Sequence, residues 1–185
     1  MPIYSARRIV VESYPILLLC IFIGLFAGTT LQESLSRIEG TLVMMMVPLL
    51  NGIGGNLGSI LGARLGSALH LGMVEPRLKG RVLKGNVNAS VLTSIGVFSF
   101  ISVVFFMIAY LWGMGFIGAA KHALAFILAG ILLTPVIILS TIVLAFISFR
   151  KGLDPDNVVI PIVTSIIDVV AAVCLLIIAI NIVGV

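Results

Sequence analysis

Five long apolar runs, almost free of charged side chains, constrain this 185-residue chain more than any other feature. A helix crosses the ~30 Å hydrocarbon core of a bilayer in about 20 apolar residues, so each run can span a membrane. Charged residues make up only 10% of the chain, whereas soluble domains carry about 25%. The sequence therefore predicts an all-α integral protein that crosses the cell membrane several times.

We predict five transmembrane helices, which together form a single domain over residues 1–185. The predicted spans cover approximately residues 14–30, 42–71, 87–112, 122–149 and 158–185. Several exceed the length of a perpendicular helix, so we expect kinks or breaks at Pro48, Pro135 and Pro161. No loop between the spans is long enough to fold into a separate domain.

Basic residues distinguish the two ends of the predicted bundle. Eight of them precede span one or lie in the loops after spans two and four: Arg7, Arg8, Arg77, Lys79, Arg81, Lys84, Arg150 and Lys151. The opposite end has only Arg37 and Lys121. The positive-inside rule therefore predicts a cytoplasmic N-terminus and, with five spans, an outside C-terminus. Because the positive charge is confined to these short segments, it indicates membrane topology and argues against nucleic-acid binding.

Asp168 is the only one of the seven acidic residues that the sequence places deep inside a span. An ionised side chain at that depth costs about 2.5–3.5 kcal/mol even on insertion scales. We therefore expect the carboxylate to face a partner, a water-filled cavity or a cation. The alternative is a neutral aspartic acid that is hydrogen-bonded to a neighbouring helix.

Other polar groups precede Asp168 at helical spacing and form one face of span five, here called the polar stripe. Its members are Asn157, Pro161, Thr164, Ser165 and Asp168. The stripe begins beside Asp154 and Asp156 at the predicted cytoplasmic mouth and extends inward by about 16 Å. Oxygen ligands without His or Cys suit hard cations such as Mg²⁺. One deep carboxylate is too few to strip Mg²⁺ of water, so the stripe predicts a path for a partly hydrated divalent cation.

Span two carries glycine at every fourth position, at Gly54, Gly58, Gly62 and Gly66. This set, here called the glycine ridge, is typical of close helix packing in membranes. Two asparagines, Asn51 and Asn56, flank its first glycines and supply carbonyl oxygens. A glycine-rich break in the helix there would expose backbone carbonyls as well.

Three stretches together resemble the membrane domain of the MgtE magnesium-transporter family, especially its eukaryotic solute-carrier branch and small archaeal relatives. They are PLLNGIGGNLGSILGAR at 48–64, LKGNVN at 83–88 and DPDNVVIPIVTSIID at 154–168. The third stretch is the most specific. The resemblance covers nearly the whole chain and fits its five predicted spans.

The resemblance implies a pair of five-helix units about a two-fold axis, with Asp168 on the pore as the ligand of hydrated Mg²⁺. It also implies that Asn157, Asp154 and Asp156 line the cytoplasmic side, and that Asn56 corresponds to the asparagine of the family's Gly-Asn motif. We expect no cytosolic sensor or CBS domain in this chain, a departure from the bacterial members. The animal relatives carry two such units in tandem, so a homodimer of this chain restores the full complement.

The leading hypothesis is therefore a homodimeric Mg²⁺ channel or transporter, with the divalent cation and the lipid bilayer as its other partners. A carrier of Mn²⁺ or Co²⁺ stays open, whereas the lack of His and Cys near the stripe argues against Zn²⁺. A non-conducting accessory subunit is the alternative from a different class. We expect no enzymatic activity, because an intramembrane hydrolase needs a nucleophile and a base on facing helices, and the sequence places only one ionisable residue, Asp168, at depth.

Overall fold

A computed structural model describes residues 6–35 and 41–184, and all regular secondary structure within them is helical. Arg37 and Val185 lie outside the described residues. The five helices are α1 (Ala6–Leu35), α2 (Thr41–His70), α3 (Arg81–Leu111), α4 (Gly115–Arg150) and α5 (Pro155–Ile178), and a π-helical turn (Ala179–Val183) extends α5. Each helix is long and apolar enough to cross a membrane, which confirms the prediction of an all-α protein with five spans.

The helices begin earlier than the apolar runs predicted. α1 begins at Ala6, α3 at Arg81 and α4 at Gly115, each at least six residues before its predicted span. Hydropathy detects the edge of the hydrocarbon, whereas helical hydrogen bonds continue into the polar turn beyond it. α5 begins at Pro155, because Pro favours the first helical position and Asp154 caps the helix N-terminus with its side chain.

The expected breaks at the prolines and glycines are absent from the described helices. α2, α4 and α5 each continue through their internal proline, and α2 also continues through its Gly-rich segment. The prediction of an unwound segment in α2 was therefore wrong. Neighbouring helices stabilise proline-containing membrane helices, and α5 packs against three of them. Beyond Pro161, the Thr164 and Ser165 hydroxyls add bonds to the Pro161 carbonyl.

α5 occupies a central position, since it packs against α1, α2 and α4, while α3 packs mainly on α4. The glycine ridge of α2 forms the contact with α5. A Cβ atom on Gly58 would lie only 2.6 Å from Val163 Cγ1, and one on Gly54 only 2.7 Å from Ile167 Cγ2. The prediction of a close-packing ridge is confirmed, because only glycine allows the two helices to approach this closely.

The segments that carry most of the basic residues meet at one end of the bundle. The Arg8 guanidinium donates to the Gly152 carbonyl at 2.8 Å, and the Arg150 guanidinium donates to the Pro76 carbonyl. These contacts join the start of α1, the α2–α3 loop and the α4–α5 loop. The basic segments that the sequence assigns to one side of the membrane therefore lie together at one end of the folded bundle. The cytoplasmic location of this end stays a prediction.

Candidate cation site

Asp168 lies in the middle of α5 and is half-buried. Within residues 6–35 and 41–184, no group donates a hydrogen bond to its carboxylate and no cation pairs with it. The alternative of an aspartic acid hydrogen-bonded to a neighbouring helix therefore finds no donor or acceptor in the described part of the chain. A carboxylate at this depth that lacks a partner among the described residues is available to an ion or its water shell.

Thr164 lies one helical turn before Asp168 and is also half-buried. Its hydroxyl donates to the Pro161 carbonyl at 2.8 Å, and its methyl group faces Gly55 on α2. Because its only proton is committed to the helix, the oxygen can offer lone pairs to a passing ion or water. Ser165 makes a similar bond but is only 7% exposed, so it belongs to the interior and not to the open side of the stripe.

Asn157 begins the stripe near the basic end, and its side-chain amide is held from α1. The Asn157 Nδ2 donates to Glu12 Oε2 at 3.2 Å, and the same oxygen accepts the backbone N–H of Asp154 at 3.2 Å. The Arg8 Nε donates to the other Glu12 oxygen at 2.7 Å. This arrangement uses a donor of Asn157 and leaves its Oδ1 as an acceptor at the mouth of the stripe.

Asp154 and Asp156 lie at the start of α5, as the sequence predicted, and each has a structural contact there. One oxygen of Asp154 accepts the backbone N–H of Asp156 at 3.1 Å and so caps the helix. An oxygen of Asp156 lies against Gly66 of the glycine ridge, 2.9 Å from where a Cβ would be. The two carboxylates therefore place negative charge at the predicted cytoplasmic mouth while also fixing the α5 N-terminus.

Asn56 is exposed on α2, next to Gly55, which faces Thr164. It therefore lies at the open edge of the contact between α2 and α5, the same edge that leaves Thr164 and Asp168 half-exposed. No contact joins Asn56 to Asp168 in the described structure.

Apart from Asn56, the candidate site residues form two groups, whose members lie on α5 and, for Glu12, on α1. The mouth cluster consists of Glu12, Asp154, Asp156 and Asn157, and the deeper pair consists of Thr164 and Asp168. In the described residues, no three His, Cys, Asp or Glu side chains converge closely enough to hold a bare metal ion. The arrangement instead suits an ion that keeps its water shell, since each carboxylate or amide oxygen then meets water and not the metal itself.

Glu12 is the member of the mouth cluster that the sequence interpretation missed. The predicted span one began after it, whereas α1 already contains it. The spacing of Arg8 and Glu12 predicts an ion pair along one helix face, which the structure contains at 2.7 Å. Nothing in that spacing indicates Asn157, which is 145 residues away.

Replacing Glu12 with leucine is expected to destabilise the protein by about 1–3 kcal/mol, because it leaves three donors without their acceptor. For a chain of this size, that corresponds to a Tm decrease of about 2–4 °C per kcal/mol in detergent. Glu12→Gln retains an acceptor oxygen and is expected to lose less. Glu75→Gln is the matched control, since Glu75 only pairs with Arg77 at 3.6 Å on the surface. An unchanged Tm in Glu12→Leu would contradict the role assigned to this carboxylate.

Comparisons with known proteins find relatives of this chain. Two curated relatives match most of the chain: solute carrier family 41 member 3 of Rattus norvegicus, at 24% identity, and that of Mus musculus, at 25% identity. Each alignment covers 84% of this chain but only 36% or 34% of the relative, so the chain spans about a third of their length. No solved structure matches the chain.

A family profile described as MgtE, a divalent cation transporter, matches residues 47–178. The matched region contains the glycine ridge and the whole polar stripe. Since it covers well over half of the 185 residues, the resemblance that the three sequence stretches indicated is confirmed. This multi-pass membrane protein belongs to the MgtE family of divalent cation transporters.

Proposed function

We propose that this chain conducts partly hydrated divalent cations, foremost Mg²⁺, along the polar stripe at the interface of a homodimer. The observation that carries the proposal is the Asp168 carboxylate, which is half-buried at mid-span and has no partner in the described part of its own chain. Membership of a divalent cation transporter family supports the substrate class. We propose no enzymatic role.

The chemistry of the stripe favours a hard cation. Its polar side chains are a carboxylate, hydroxyls and an amide, which all present oxygen. Imidazole and thiolate ligands, which softer metals prefer, do not occur among its members. Mg²⁺ also loses its waters reluctantly, so a site with one carboxylate per chain suits its hydrated form.

We infer a second copy of the chain from the polar groups that a single chain leaves exposed. Asn56, Thr164 and Asp168 lie at an edge of the single chain that stays at least partly exposed. Lipid tails cannot satisfy these polar groups, whereas a second copy related by a two-fold axis encloses them and places two Asp168 carboxylates near that axis. We expect the purified protein to have the mass of two chains in size-exclusion chromatography with light scattering. A monomer at micromolar concentration that still conducts would contradict the interfacial pore.

The mouth cluster and the deeper pair define the order of events for an entering or leaving ion. We expect the ion to pass the exposed Asp156 carboxylate at the mouth, and Asp168 then binds the hydrated ion through its waters. At Asp168's depth, the described helices contain no second carboxylate that could bind a coupling proton or Na⁺. This favours a passive path driven by the ion gradient and the membrane potential.

Flux into proteoliposomes that contain a Mg²⁺-sensitive dye tests the proposal. We expect Mg²⁺ influx that depends on the reconstituted chain and increases with an inside-negative potential. Competition by Mn²⁺ and Co²⁺ measures the selectivity among divalent ions, and a stronger response to either would favour the alternative carrier of that metal. Absence of flux for every divalent ion, together with no metal-dependent stabilisation, would favour a non-conducting accessory subunit.

A further inference from the structure

One side-chain oxygen stands out from the rest of the described polar atoms. The Oδ1 of Asn51, on α2, is buried and has no hydrogen-bond partner within residues 6–35 and 41–184. A buried oxygen without a donor is costly, and it is more costly inside a membrane, where lipid supplies no donor either. No described group supplies the donor that such an atom calls for.

The antiparallel contact between α2 and α5 fixes the level of Asn51. Gly55 on α2 faces Thr164 on α5, where a Cβ on the glycine would lie 3.2 Å from the threonine Cγ2. A step of four residues, about one helical turn, leads back along α2 to Asn51 and forward along α5 to Asp168. Because the helices run antiparallel, both steps lead toward the same side of the membrane. Asn51 and Asp168 therefore lie at one level on adjoining helices.

The glycine ridge also shows on which face of α2 Asn51 lies. Successive residues of an α-helix are rotated by about 100° around its axis. By this rotation, Asn51 lies at the centre of the α2 face that carries the glycine ridge and contacts α5. Asp168 falls on the edge of the α5 face that also carries Thr164. Asn51 and Asp168 thus lie at one level on adjoining faces of α2 and α5.

Two other asparagines in the described helices, Asn86 and Asn181, are bonded to their own helix. The Asn181 Nδ2 donates to the Ile177 carbonyl at 2.6 Å, and the Asn86 Nδ2 donates to the Val82 carbonyl at 3.1 Å. Both side chains are tied to the preceding turn of their own helix. The Asn51 Oδ1 has no such tie among the described groups, so a role in local helix stabilisation does not account for it.

We propose that Asn51 is a second oxygen of the cation site and accepts a hydrogen bond from a water of the ion that Asp168 holds. This inference rests on the proposed function and adds a residue of α2 to a site otherwise formed by α5. An amide oxygen is a hard, neutral acceptor, so it orients the water shell without adding charge that would trap the ion. With two copies, the hydrated ion meets two carboxylates and two amides.

The test compares Asn51→Leu and Asn51→Ala with wild type in two measurements, Mg²⁺ flux and Mg²⁺-dependent Tm. Both variants remove the amide oxygen, and both are expected to raise the Mg²⁺ concentration for half-maximal flux about tenfold. The Tm increase that Mg²⁺ produces is expected to shrink in parallel, because that increase reports binding to the folded state. The Tm without Mg²⁺ reports whether each variant is folded.

Asn181→Leu is the matched control, since it removes an amide from the turn that extends α5, where the side chain bonds to its own helix. We expect its half-maximal Mg²⁺ concentration to equal that of wild type. If Asn51→Leu or Asn51→Ala is folded and keeps the wild-type Mg²⁺ dependence in both measurements, the role of Asn51 is overturned. Wild-type protein that shows neither flux nor Mg²⁺ stabilisation overturns the proposed function itself, so the two failures are distinguishable.

Asn51→Asp supplies a gain-of-function measurement at the same position. A second carboxylate near Asp168 is expected to lower the half-maximal Mg²⁺ concentration and also the maximal flux, because a more tightly held ion leaves more slowly. Unchanged affinity and maximal flux in the folded variant would place position 51 away from the ion and overturn the inference.

Discussion

Replacing Asp168 with alanine is expected to reduce Mg²⁺ flux to the level of protein-free liposomes while the protein stays folded. The carboxylate is the only one at mid-span in the described residues, so its removal leaves the deepest part of the path without a charge to offset the positive charge of the ion. Transfer of an unbalanced ion to that depth then has nothing to reduce its cost. Stability is not expected to fall, because the described groups make no hydrogen bond to this side chain.

Two further variants test whether the charge of Asp168 and its position at mid-span cause this loss of flux. Asp168→Asn keeps the volume and one carbonyl oxygen but loses the charge, and it is expected to be nearly as inactive as Asp168→Ala. Asp156→Asn is the matched control, since it neutralises a carboxylate of the same helix at the mouth, where its loss is expected to lower flux only a few-fold. Wild-type flux through a folded Asp168→Ala protein would refute the assignment of the pore to this face of α5.

The sequence was sufficient to predict the class of fold, because apolar length and the distribution of Arg and Lys depend on local composition alone. It was less informative about helix ends, as in α1, where the first two turns contain Arg8 and Glu12 and look like a loop by hydropathy. Prolines and glycines were also misleading as predicted breaks. Packed neighbours supply the contacts that keep α2 helical through its Gly-rich segment, and local sequence does not reveal those neighbours.

In the candidate site, too, local sequence reveals some residues, whereas others become evident only from helix packing. Asp168 could be identified because a carboxylate in an apolar run is anomalous by itself. Glu12 could not, because its partners Asp154 and Asn157 are more than 140 residues distant in sequence. Asn51 was noted as a source of a carbonyl oxygen, but its level relative to Asp168 depends on the antiparallel register of α2 and α5. That register is set by the glycine ridge, so the geometry of the site depends on helix packing.

Gly58→Ala tests this dependence and is expected to destabilise the protein by about 1–3 kcal/mol. The added Cβ would lie 2.6 Å from Val163 Cγ1, well inside van der Waals contact. Val163 is β-branched and cannot easily rotate away in a helix, so α5 itself must move. We expect a lower Tm in detergent and a loss of Mg²⁺ flux, because displacement of α5 also displaces Asp168. Gly58→Leu adds a larger side chain and is expected to prevent folding.

The double variant Gly58→Ala with Val163→Ala tests whether the contact with Val163 causes these losses. Removing the Val163 methyl groups makes room for the new Cβ, so the double variant is expected to recover most of the stability and flux that Gly58→Ala loses. Gly28→Ala in α1 is the matched control: nothing lies within 4 Å of its Cβ position, and alanine in a helix is expected to be neutral or stabilising by up to about 1 kcal/mol. If Gly58→Ala were as stable and active as Gly28→Ala, close packing of α2 on α5 would not be what positions the cation site. Recovery of stability without flux in the double variant would instead show that the site tolerates less displacement than the fold does.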